Sequence, residues 1–173
     1  MHAADVVIDI TEVDSSAMYP LGQEFYAPAT SQASVTTSKP AANTGPRVWV
    51  YVFNDDTSSF TAGLIVARDS ETATYDGIIA PVDSNPMRIL GVAQHTIAAG
   101  SYGWILKRGV GLIEAGSETI DADEVVAVSA SNAGHGMEGG SIAADAHEAA
   151  VIGFATANAA EGATASCWIN CPG

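Results

Sequence analysis

Gly134, Gly136 and Gly139 fall at the spacing GxGxxG, the pattern by which a strand-to-helix turn offers backbone amides to a pyrophosphate. The surroundings do not suit that chemistry. The pattern lies late in the chain, no alternation of helices and parallel strands encloses it, and 17 glycines make chance matches common. A surface loop is the expected role. His2, His95, His135 and His147 include no pair three to five apart and none beside a cysteine, so no metal set is spelled out. Asp55 with Asp56, and Asp121 with Asp123 and Glu124, sit at expected turns, where Asp accepts backbone hydrogen bonds. Neither run has the alternating oxygens, closing Gly and distal Glu of a calcium loop. The stretch Gly100, Ser101, Tyr102, Gly103 has the wrong spacing for a nucleophile elbow. Cys167 and Cys171 are four apart, roughly 13 Å if extended, against about 5.5 Å between the alpha carbons of a disulfide, so two reduced thiols are expected. No catalytic, metal-binding or cofactor-binding residue is assigned, and the chain is expected not to be an enzyme.

The elements that would position such residues are strands. Val48, Val50 and Val52 alternate with Trp49, Tyr51 and Phe53, a period of two with both faces apolar, so neither face tolerates water. Further strands are expected at 6–11, 64–68, 88–94, 103–106, 109–114, 124–129, 149–156 and 166–170, separated by Gly, Asp, Asn, Ser and Pro. Residues 30–46 read as a long polar loop, and 141–150, rich in alanine, as one short helical insertion.

Slid against itself by 60 to 62 positions, the chain repeats. Arg47 to Phe53 falls beside Arg108 to Glu114, Phe60 to Gly63 beside Ile120 to Asp123, and Gly91, Ala93, Ala98, Gly100 on Gly153, Ala155, Ala160, Gly162. The expected fold is therefore all-β, a small β-barrel or sandwich of two related four-strand units, about 47–106 and 108–169, within a β-rich domain 19–173. Residues 1–18 are expected to form an N-terminal arm; the competing reading makes them an ordinary first strand. The apolar Val6, Val7, Ile8 and Ile10, with Trp49, Tyr51 and Phe53, are the expected oligomer or capsid interface.

Twenty acidic side chains against six basic ones leave a formal charge of −14. Phosphates would approach against that field, and no two-residue run of bases is exceeded, so nucleic acid is excluded as a partner. A polybasic membrane patch is absent for the same reason, no stretch nears the roughly 20 apolar residues of a spanning helix, and the acidic start is unlike a secretory signal.

Taken as words, Tyr19 to Gly22, Phe60 to Gly63, Ile89 to Gln94, Ala98 to Trp104 followed by Arg108, Gly109, Val110, and Val151 to Ala155 carry a resemblance. Over residues 19–169 the chain resembles the head decoration, or cement, proteins of tailed bacteriophages, above all those of marine hosts. It departs from them at Asp123, where the pattern looks like a glycine. The resemblance implies a β-tulip-like structural virion protein, made in the host cytoplasm, that binds the outer capsid surface and stabilises the mature head. It implies the major capsid protein and the chain itself, as a homotrimer, for partners, with no cofactor. Two other readings are a head fibre or host-surface adhesin module, and a small β-barrel enzyme or ligand binder with a pocket at Trp49, Tyr51 and Phe53.

Overall fold

The computed structural model describes residues 8–27, 45–82, 84–139 and 151–173. The chain is all-β, with no α-helix among the described residues and a 3-10 turn at Pro86–Arg88. The 141–150 insertion, most of the 30–46 loop, and Val6 and Val7 lie outside the described residues.

Five strands close a barrel. They are β3 (Arg47–Asn54), β4 (Ile65–Arg68), β5 (Asp76–Ile79), β6 (Ile89–Val92) and the first half of β7 (Tyr102–Glu114), paired in the ring β3, β5, β4, β6, β7 and back to β3. All contacts are antiparallel except β3 with β5, where Asn54 lies opposite Gly77. Alternation along β3 separates two cores. Val50 and Val52 join Phe60, Val66, Leu90, Ile97 and Ile105 inside the barrel, while Trp49 and Tyr51 join the larger cluster outside it.

The second half of β7, with β8 (Val125–Val128), β9 (Gly136–Glu138), β10 (Val151–Ala155) and β11 (Thr164–Asn170), repeats that ring. β7 pairs β11, β11 pairs β10, β10 pairs β8, β8 pairs β9, and a parallel bridge from Ala115 to Gly136 returns to the strand that began it. The correspondence reaches single hydrogen bonds. Phe60 and Ile97 exchange two backbone bonds of 2.9 Å, as Ile120 and Ala159 do at 2.9 and 2.8 Å. Gly63 N–H donates to Ala93 O at 2.8 Å, and Asp123 N–H to Ala155 O at 2.9 Å. Gly91 and Gly153 occupy the same bulge, opposite Val66 and Val126. Asp123, where a glycine was expected, adopts a φ of 69°, the left-handed turn that Gly63 makes at 98°; Asp is one of the few residues that accepts it.

Each ring has a fifth strand, β5 or β9, beyond the four expected per unit. Strands expected at 103–106 and 109–114 are one continuous β7, which passes Gly109 at a φ of 117°.

The outer face of β3 is closed by the chain's own N-terminal segment. β2 (Glu24–Ala27) pairs β3 with Phe25 opposite Trp49, and β1 (Val13–Asp14) pairs β7. Tyr19 packs edge-on to Tyr51 at 5.3 Å and lies 5.2 Å from Trp104, with Phe25 at 6.2 Å from Trp104. Residues 8–11 do not form the expected strand. Asp9 Oδ1 accepts from both the amide and the hydroxyl of Thr11, and Glu12 N–H donates to Asp9 O; this turn folds Ile10 into the core, where it is 6% exposed.

Tyr51 fastens that segment. Its hydroxyl is buried, donates to Asp14 Oδ2 at 2.7 Å and accepts from Met18 N–H at 3.3 Å. Burial, and then the bond to Asp14, push its ionisation well above the usual tyrosine range. The folded state thus keeps a proton that the unfolded chain releases above about pH 10, so this contribution is intact below that pH and is lost as pH rises beyond it. Tyr51→Phe should cost about 1 to 2 kcal/mol at pH 8. Its stability should also fall less steeply from pH 9 to 11 than that of the parent, as urea unfolding would read.

Candidate docking face

Several of the described residues with chemical potential serve the fold, while His2 and His147 lie outside the described residues. The amide of Gly134 donates to Ala80 O and its carbonyl accepts from Ile65 N–H, both at 2.7 Å, while Gly136 belongs to β9. Gly134 and Gly136 of the GxGxxG pattern are therefore structural. Asp56 accepts from Ser58 N–H and Ile79 N–H, the turn role expected of it. His95 lies with its ring nitrogens 3.3 and 3.2 Å from the carbonyls of Thr96 and Trp104, and burial holds its pKa below the usual histidine value. His135 reaches Glu114 at 3.4 Å. Cys167 and Cys171 are free and buried, and burial raises both thiols to about 12, far from the thiolate that reactivity requires. Among the described residues no group of three His, Cys, Asp or Glu could hold a metal ion.

The expected interface residues are for the most part inside the subunit. Trp49 is 1% exposed and Tyr51 fully buried, Ile10 is in the core, and Ile8 packs against it. Phe53 is half-buried against Tyr102 at 4.8 Å. An apolar outer face does demand cover, but Tyr19 and Phe25 supply it from the same chain.

The repeat shows where such a face is left open. In the first unit Ile65, Val92, Leu106 and Trp49 lie opposite one another across four strands, and directly paired residues project to one face. All four are buried. The second unit leans on this face: Ile65 bonds Gly134, Leu106 Cδ2 fills the space beside Gly111, and Gly173 N–H donates to Ile89 O at 3.1 Å. The equivalent row of the second unit is Val125, Phe154, Trp168 and Val110. Val125 is 43% exposed and Phe154 44%, and Val151, matching the buried Ile89, is 49% exposed. Trp168 and Val110 are half-buried. Nothing among the described residues plays the part that Tyr19 and Phe25 play for the first unit.

No protein-family model matches the sequence, and no curated protein matches it. Among solved structures, the chain is similar to the head fiber gp8.5 N base of bacteriophage phi29, with 14% sequence identity and a TM-score of 0.47. The match covers 70% of this chain and 94% of that one.

Electrostatics sharpens the contrast between the two rows. Residues 108–173 carry nine acidic side chains and one basic, Arg108. The open row is thus an apolar strip on the more acidic half of an acidic chain, and two such strips face to face would bring like charges together. The row escaped the sequence reading because its members sit on four separate strands. The available signal was the alignment itself: Ile65, Val92, Leu106 and Trp49 correspond to Val125, Phe154, Trp168 and Val110.

Proposed function

We propose that this chain is a structural protein of a tailed-phage virion that docks, as an oligomer, on the outside of the mature head and stabilises it without catalysing a reaction. The observation that carries the reading is the open row Val125, Phe154, Trp168, an apolar strip unmatched within the described residues of a strongly acidic β scaffold. Aromatic residues at the centre of a patch are what docking energetics favour. The resemblance to decoration proteins supplies the partner, the major capsid protein, and the trimer. The charge agrees with an external position: a shell packed with phosphates disfavours a chain of −14 inside and tolerates it on the outer face. Because the strip is apolar, the contact with the shell should survive high salt.

The test is to mix the purified chain with heads that lack it and sediment them. Saturable binding to expanded heads, with added density on the outside by electron cryomicroscopy, is expected. Heads that pellet without the chain at saturating concentration would overturn the reading, and glycan-array binding by the free chain would replace it with the adhesin.

A further inference from the structure

The strands beneath the open row leave no edge on which another strand could be added. β10 lies between β8 and β11, β11 between β10 and β7, and β8 between β10 and β9. The remaining edge is that of β7, beyond the point where Arg108 meets Val48 of β3. In the first unit the matching edge, Arg47 to Val50 of β3, takes a strand, because β2 pairs with it. In the second unit groups of the first unit occupy that berth. Arg47 Nε donates to Val110 O at 2.7 Å, and Glu114 N–H donates to Gly63 O at 3.0 Å. Between them, Gln94 Oε1 accepts from Leu112 N–H at 2.8 Å and Gln94 Nε2 donates to Leu112 O at 3.0 Å. The Gln94 amide thus gives β7 the one donor and one acceptor that a strand residue would give. Glycine permits the approach: a Cβ at Gly109 would lie 2.9 Å from Arg47 Cγ, and one at Gly111 2.8 Å from Gln94 Oε1.

An extended segment binds a sheet through the main-chain groups of an exposed edge. Laid across Val110, Trp168, Phe154 and Val125 instead, it would bury its own N–H and C=O groups against side chains that cannot pair them. A folded element arrives with those groups already bonded. What the face offers is apolar side chains, with Phe154, Val125 and Val151 each more than two-fifths exposed. We infer that the head meets this row with the apolar side chains of a folded surface, and not with an extended tail added as a strand. The inference rests on the docking function proposed above and names the form of partner that this face fits.

The test uses the full chain, heads that lack it, and short overlapping peptides spanning the capsid protein. Binding isotherms are measured on intact heads and on heads whose exposed tails a protease has trimmed, and the peptides are added as competitors. Trimmed heads should bind within about twofold of intact ones, and no peptide should displace the chain at millimolar concentration. Phe154→Ala, which removes the ring without adding a charge, should weaken binding about tenfold or more, because side chains carry the contact. A strand addition, held by main-chain bonds, would tolerate that change. Thermal unfolding of the variant checks that the barrels persist. Loss of binding on trimming, displacement by a peptide, or a Phe154→Ala variant that binds as the parent does would each overturn the inference. Docking itself would stand in all three cases, because intact heads still bind. Intact heads that stay bare would instead sink the docking reading, and this inference with it.

Discussion

Gly153→Ala is expected to be the most destabilising single methyl group in the molecule, with Gly91→Ala close behind. A Cβ at Gly153 would overlap the carbonyl oxygen of Trp168, and one at Gly91 would lie 2.6 Å from the carbonyl oxygen of Leu106. In both cases the obstacle is backbone of the adjoining strand, fixed by its own ladder, so relief requires separating β10 from β11 or β6 from β7. Each change should cost about 3 kcal/mol and lower Tm by about 10 °C in a chain of this length. Gly100→Ala and Gly162→Ala provide the contrast. They have φ values of 70° and 69° with no heavy atom within 4 Å of the added carbon, so only left-handed strain opposes them, about 1 to 2 kcal/mol. Thermal unfolding followed by circular dichroism would read the two pairs. Equal effects across the four would show that the bulge geometry does not limit stability.

Phe154→Asp is expected to have the largest effect on head docking and little on the fold. Phe154 is 44% exposed and lies between Val125 and Trp168 in the open row, so the carboxylate meets water in the free subunit and desolvation in the bound one. A central aromatic anchor of an interface is worth about 2 kcal/mol or more, a loss of roughly 30-fold in affinity before the buried charge is counted. Met18→Asp, at an exposed side chain well away from that row in sequence and strand, should leave binding unchanged. Binding isotherms on heads would show it; a Phe154→Asp variant that binds as the parent does would move docking to another face.

These two expectations also mark what could be read in advance. The tight turns are legible because each requires a particular backbone, and a glycine, or an aspartate at 123, reports that requirement locally, whereas the bulges at Gly91 and Gly153 emerge only from the strand pairing. Nor are the short β5 and β9 legible. Asp76 to Ile79 and Gly136 to Glu138 have no alternation, and their pairing is set by the ring they complete. Strand β3 announced that both its faces need cover, yet the cover comes from Tyr19 and Phe25, about thirty residues earlier, and a contact between distant segments leaves no period. The face was therefore assigned to a partner when the subunit itself closes it. The row of Val125, Phe154, Trp168 and Val110 is the converse, because its parts become neighbours only after four strands have paired.

The central claim is that the chain stabilises an assembled head by binding its exterior through an apolar contact. Its most direct test is the melting temperature of heads lacking the chain, measured with and without it at low and at high salt. A subunit that binds only the expanded shell adds RT ln(1 + [L]/Kd) at every site, about 2.7 kcal/mol at a hundredfold excess over Kd. Many occupied sites multiply that gain. The account predicts saturable occupancy, a raised melting temperature, and persistence of both at high salt. Full occupancy with no change in melting, or binding that vanishes at high salt, would contradict it.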